Sequence, residues 1–206
     1  YWRMILGERI SARRVNQVIV MSNKFRSLYE REFRVPSDRL HVIYPGLLRE
    51  EFEKQARQPV DDPDIARLKK LKERGSPIAI YCGSLYPAQG LNILVAASRE
   101  VFQALPQARV VIVGGRPEAQ FRELQAAVSR DLPNVILLGQ KPHETIPALI
   151  SVADVVVIPR PDYPMNGVSP RKMAECMSLG KTLVTTDVAD FKEIFNEWKC
   201  GVATEC

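Results

Sequence analysis

Residues 78–115 read IAIYC (78–82), GSLYPAQG (83–90), LNILVAASREVFQALPQA (91–108), RVVIV (109–113) and GG (114–115). Ile78–Cys82 and Arg109–Val113 are apolar on consecutive positions rather than alternate ones, as strands covered on both faces are. Between them Leu91, Leu94, Val95, Ser98, Val101, Phe102 and Leu105 fall on one helical face, with only Ser98 breaking the stripe. Strand, helix and strand in that order predict a parallel pair with its crossover. The alternation continues in both directions. Strand-like runs occupy Gln17–Met21, His41–Tyr44, Val135–Leu138, Val155–Ile158 and Thr182–Thr185. Helical stretches run over roughly 62–74, 117–130, 143–152 and 170–179, the last closed by Gly180. The pattern predicts the α/β class, with a doubly wound parallel sheet of five to six strands from about residue 76 onward.

Composition narrows the function classes. The chain has 206 residues, 46% of them hydrophobic and 26% charged, which suits a globular protein with a substantial core. No run of eighteen apolar residues is present, so no transmembrane helix is expected. Cys82, Cys176, Cys200 and Cys206 form no C-x-x-C pair and only two histidines occur, which argues against a Cys/His metal site. Scattered thiols suit a reducing, cytoplasmic setting. The net charge of +5 lies in residues 1–34, which carry eight basic and three acidic side chains. The remainder holds 21 of each sign, so no nucleic-acid binder is read from it. Arg9, Arg13 and Arg14 read either as solvated helix positions or as a face for an anionic membrane. The chain starts at Tyr1, not Met, and stops at Cys206 just after a strand-like stretch, so a piece of a longer protein is expected.

A composition break near 45–62 divides the chain. Pro45-Gly46 ends a strand, Arg49, Glu50, Glu51, Glu53 and Lys54 form a charged stretch read as linker, and Asp61-Asp62-Pro63-Asp64 opens a helix. Asp62 and Asp64 have a metal-like D-x-D spacing but precede a helix, where acidic residues serve as caps. His143-Glu144 lacks the second histidine of a zinc motif, and Trp2 and Trp198 read as packing residues.

Ligands of open parallel sheets bind where strands exit into loops, so three loops carry the functional reading. In Gly83–Leu91, Gly83 and Gly90 would let backbone approach a ligand and Ser84 could donate to a phosphate; an ordinary strand-to-helix turn explains the same residues. Gly114-Gly115-Arg116 reads as a tight turn, with Pro117 opening the next helix. Pro159 to Glu175 reads PRPDYPMNGVSPRKMAE. Ser169 is an N-cap followed by Pro170, and Met173, Cys176 and Met177 make a buried stripe. Arg171 and Lys172 then sit in the first turn, where the helix dipole opposes cations by about 0.3–1 kcal/mol each. An anion docked at that helix start accounts for them. A Lys172–Glu175 ion pair is the alternative.

Together these segments resemble glycosyltransferase family 4 of the GT-B fold, specifically its Rossmann-like, nucleotide-sugar-binding C-terminal domain. VIVMSNKFRSLYE, LHVIYPGL, YCGSLYPAQGL, VIVGG, VADVVVIP and SPRKMAECMSLGKTLVTTD occur in the family's order and spacing. The resemblance implies that residues 1–46 are a remnant of the N-terminal acceptor domain. Residues 47–75 would be linker and entering helix, and 76–206 the donor-binding domain. It implies retaining transfer of a sugar from a UDP- or GDP-sugar, with no metal or other cofactor, to a glycan or lipid-linked acceptor. A place at the inner face of a membrane, contacted through residues 1–34, fits such acceptors. Glu175 matches the glutamate that holds the ribose hydroxyls, while Val168, Ser169 and Arg171 surround the diphosphate, with Lys172 supplying charge. The catalytic residues of the acceptor half would lie outside this chain. Ser84 stands where many relatives have an arginine after Gly83, a variation familiar in one branch of the family, and two positions depart further: Gln89 stands where a lysine precedes Gly90, and Gly167 stands where the motif has its first glutamate. These departures suggest an alternative, a degenerate domain serving as a scaffold or partner-binding module. A non-hydrolysing sugar-nucleotide epimerase shares the fold, but the SPRKMAEC block argues against it.

Overall fold

The structure, a computed structural model, describes residues 2–161, 171–188 and 190–204. Its centre is a sheet of six strands: β3 (Ile78–Cys82), β4 (Arg109–Val113), β5 (Val135–Gly139), β6 (Val155–Ile158), β7 (Thr182–Thr186) and β8 (Gly201–Thr204). Their order is β5-β4-β3-β6-β7-β8 and every pair is parallel. Three strands therefore run outward from β3 on one side and three from β6 on the other. The switch point lies between β3 and β6, where Ala79 pairs with Val155 and Ile80 with Val156. Diverging connections leave a crevice at the carboxyl end of such a junction. The Gly83 loop and the Pro159 loop both open there.

A smaller parallel pair, β1 (Val18–Val20) and β2 (Leu40–Val42), precedes it with α1 (Trp2–Arg14) and α2 (Asn23–Arg31). Ala12, Val20, Phe33, Val35 and Leu40 form a separate apolar cluster there. The crossover helices are α4 (Pro63–Glu73), α5 (Leu91–Ala104), α6 (Glu118–Asp131), α7 (Ile146–Val152), α8 (Arg171–Ser178) and α9 (Phe191–Trp198). Asp62 caps α4 as anticipated, accepting from the amides of Asp64 (2.8 Å) and Ile65 (3.2 Å), with Pro63 in the first turn.

Several expectations change. The charged stretch read as linker folds as α3 (Arg49–Arg57), with Glu53 between Arg49 at 2.5 Å and Arg57 at 3.3 Å. Phe52 of α3 is buried in the same core as Ile65 and Leu68 of α4, so the segment packs under the main sheet. Ser98 does not interrupt the α5 stripe. It is buried and donates its hydroxyl to the Leu94 carbonyl at 2.7 Å, which removes the desolvation penalty. Phe102 and Leu105, counted in the stripe, are instead exposed. Trp198 is 54% exposed at the end of α9 and does not serve as a packing residue.

Among the described residues, no helix is long and apolar enough to cross a membrane. Cys82, Cys176 and Cys200 are free thiols.

Candidate functional site

The strand β3 fixes the first component. Tyr81 is buried, and its hydroxyl donates to the Ser84 carbonyl at 2.6 Å, holding the loop against the strand that precedes it. The Gly83 amide donates to Val113 at 2.9 Å and the Leu85 amide to Arg116 at 2.7 Å. Those of Gln89 and Gly90 donate to Tyr86 and Pro87. These four N–H groups are spent within the chain and are not available to a phosphate in this conformation.

The two loop glycines have different reasons to be glycines. Gly90 has φ +76°, and a Cβ there would overlap the Pro159 carbonyl oxygen. Its bareness lets the β3 loop pack on the β6 exit, a contact between two backbones rather than the ligand approach expected from sequence. A Cβ on Gly83 would instead meet the Lys172 ammonium, with the Tyr81 hydroxyl 2.8 Å away. Gly83 therefore faces into the space where α8 begins.

Helix α8 supplies the second component. Lys172 points inward, with Nζ 5.1 Å from the centroid of the Tyr81 ring. Burial pushes its ammonium below the ordinary lysine value, and the nearby Arg160 guanidinium adds to that. Glu175 is buried, with Oε1 3.4 Å from Arg171 Nε. The ion pair of Glu175 thus forms with Arg171, four residues away, and not with Lys172 as the alternative reading had it. Cys82 lies beside this group, its thiol pushed up to about 12 by burial, and the Cys176 thiol is raised for the same reason. Both are packing residues, not nucleophiles.

Arg160, to which the sequence reading gave no role, joins this group. It leaves β6 half-buried, and its guanidinium donates to the Ala88 carbonyl at 3.3 Å, beside Gln89. Burial lowers its basicity, and it lies within electrostatic range of Tyr81 and Lys172. A cavity of about 240 Å³ opens next to this group, lined by Gly83, Ser84, Gly114, Gly115, Gln140 and Lys141 among others. The Gly114-Gly115 turn, read as purely local, is part of that wall. Lys141 is held by Asp62 at 2.8 Å and Asp64 at 2.6 Å.

Of the residues singled out by sequence, the structure gathers Gly83, Ser84, Lys172 and Glu175 near the β3–β6 junction. Gln89 and Gly90 lie on the far arm of the same loop, and Arg171 is exposed at the helix start. Gly167, Val168 and Ser169 lie outside the described residues. Among the described residues, no group of three or more His, Cys, Asp or Glu side chains could hold a metal ion.

Residues 76–205 match the family described as Glycosyl transferases group 1. The chain belongs to that family. As a group 1 glycosyl transferase it shares 25% identity over 200 residues with the alpha-D-kanosaminyltransferase of Streptomyces kanamyceticus, covering 95% of this chain and 49% of that protein. It is 27% identical over 164 residues to a GDP-mannose-dependent alpha-(1-6)-phosphatidylinositol monomannoside mannosyltransferase of Mycolicibacterium smegmatis, covering 77% and 41%. The chain thus spans about half the length of the curated relatives it matches.

Among solved structures, Anabaena Alr3699/HepE in complex with UDP and glucose superposes with TM-score 0.74 at 21% identity, over 98% of this chain and 52% of that one. Sucrose-phosphate synthase from Thermosynechococcus elongatus gives 0.75 at 21% identity, over 100% and 49%. The fold is GT-B, as the sequence resemblance implied.

Proposed function

We propose that this chain is the donor-binding half of a retaining glycosyltransferase that takes a sugar from a UDP- or GDP-sugar without a metal. The observation that carries the proposal is the convergence of Gly83, Lys172, Glu175 and Arg160 at the switch point of a parallel sheet. Residues 76–206 form the donor domain, 47–75 join it to the preceding unit, and 1–46 belong to the acceptor side. The bound UDP and glucose in the similar HepE structure support this assignment.

Each group has a task set by its chemistry. The Glu175 carboxylate, steadied by Arg171, accepts from the vicinal ribose hydroxyls. Gly83 leaves room for the diphosphate beside Lys172, and the 240 Å³ cavity takes the nucleoside end. When the glycosidic bond to the diphosphate breaks, negative charge grows on the leaving oxygen. Fixed cations in a half-buried site stabilise that charge without reorganisation.

The acceptor is a glycan or a lipid-linked sugar, in a cytoplasmic protein working at the inner face of a membrane. Leu6 and Ile10 are exposed on α1 beside Arg9 and Arg14, which suits peripheral contact with anionic lipid. The relative named for its phosphatidylinositol mannoside substrate supports an acceptor of that kind.

Calorimetric titration with UDP, GDP and their sugars tests the proposal. Binding of one nucleotide series in the micromolar to millimolar range is expected, and no heat from any of them at millimolar concentration overturns it. The scaffold reading draws on Gln89 and Gly167, and the same titration removes it if a donor binds.

A further inference from the structure

The family pattern places a lysine immediately before Gly90, and this chain has Gln89. A neutral amide at a diphosphate site forfeits a charge-assisted hydrogen bond, unless another cation reaches the same place. The β6 exit does reach it. The Pro159 carbonyl is packed on Gly90 so closely that a Cβ there would not fit, and the Pro161 ring lies 3.1 Å from the same point. From between these prolines the Arg160 side chain bonds the Ala88 carbonyl at 3.3 Å, one residue from Gln89. The Arg160 main chain is itself fixed, because its amide donates to Ile158 at 2.9 Å and its carbonyl accepts from the Thr186 hydroxyl. Lys172 sits on the neighbouring side, over Tyr81.

We propose that Arg160 supplies the diphosphate-binding cation that Gln89 does not, forming with Lys172 a two-cation clamp on the donor. This rests on the donor-site reading above. Guanidinium geometry suits the role, since its planar fork can keep one N–H on Ala88 and turn others to phosphate oxygens. The Arg160 guanidinium also depresses the basicity of the Lys172 ammonium, and an incoming dianion favours the charged form of both. The substitution at 89 is then a relocation of charge and not its loss.

The experiment is a charge-transplant series on the full chain, titrated with UDP and GDP and, as controls, with uridine and guanosine. Arg160→Met is expected to weaken diphosphate binding about 10- to 100-fold, the value of a charge-assisted bond, while leaving nucleoside affinity unchanged. Gln89→Lys in the otherwise unchanged chain should gain less than about 3-fold, because the position is already served. In the Arg160→Met background the same Gln89→Lys change should restore most of the lost affinity. Arg160→Lys, keeping charge without the fork, should lose only a few-fold.

The inference is overturned if Arg160→Met leaves UDP and GDP affinity intact. It is equally overturned if Gln89→Lys gains as much in the unchanged chain as in the Arg160→Met background. Equal losses for nucleoside and nucleotide would show a disturbed fold instead of a lost clamp, and also count against it. If the unchanged chain binds neither nucleotide, the donor-site reading fails first and takes this inference with it.

Discussion

Gly83 and Gly90 bound one loop, and replacing each with alanine should produce opposite phenotypes. At position 90 the added Cβ faces two costs. The left-handed conformation at φ +76° disfavours an L-residue by about 1–2 kcal/mol. The Pro159 carbonyl occupies the place of the new methyl, and backbone cannot step aside as a side chain can. Separating the two loops adds overpacking strain of about 1–3 kcal/mol. The sum is about 3 kcal/mol, which a chain of this size should register as a fall in Tm of about 6–12 °C.

At position 83 the backbone is not among the glycines with positive φ, and the methyl meets the free end of Lys172. A lysine tip can swing away, while the Tyr81 hydroxyl 2.8 Å from the same point must shift slightly, so stability should fall by only about 1 kcal/mol. The ammonium would nonetheless leave its position over Tyr81, and nucleotide affinity should fall about 10-fold. Urea unfolding and calorimetry with UDP and GDP on both variants separate the outcomes. Gly90→Ala unfolding within about 0.5 kcal/mol of the parent would refute the backbone-contact argument. A Gly83→Ala protein as destabilised as Gly90→Ala would refute the assignment of Gly83 to the open side of the loop.

Three further perturbations test the surrounding framework. The buried Asp190 carboxylate accepts from the Asn23 amide (2.5 Å), the Lys24 amide (3.1 Å) and the Tyr44 hydroxyl (2.8 Å), tying the start of α2 to α9. Asp190→Ala should cost about 2–4 kcal/mol and raise hydrogen exchange at Asn23 and Lys24; unchanged exchange there would contradict the tie. Burial pushes the Asp62 carboxyl up, but the Lys141 ammonium and the Ile65 and Asp64 amides outweigh it and hold it below its ordinary value. Its stabilising contribution is therefore complete above the ordinary carboxylate range and is lost as pH falls through the depressed folded value. Lys141→Met should lose about 2–3 kcal/mol at pH 7 and flatten the acid limb of a stability–pH curve, whereas parallel curves would exclude the linkage. Exposed Leu6 and Ile10 on α1 predict co-sedimentation with vesicles that rises with anionic lipid content; indifference to lipid charge would remove the membrane face.

The sheet was legible because its strands are buried on both faces, which leaves unbroken runs such as RVVIV and VVVI that no surface helix would show. Helix α3 was not, because its stability comes from one buried phenylalanine and from Glu53 between two arginines, a composition that equally suits solvated linker. At the start of α8 the sequence offers a Lys172–Glu175 ion pair as the alternative to an anion site, whereas Glu175 pairs with Arg171. At 3.6 residues per turn both Arg171 and Lys172 come near Glu175, and only the tertiary position of Tyr81 decides which turns inward. Arg160 left no local trace at all, since its partner at Ala88 is 72 residues away in sequence. Topology could still have found it. If β3 and β6 flank the switch point, the residue that follows VVVI-Pro must emerge against the loop that follows IAIYC. A charged side chain there, between two prolines that fix its backbone, cannot avoid the same crevice. A missing motif lysine in this fold is therefore best sought first in the adjacent strand's exit and only afterwards read as a lost function.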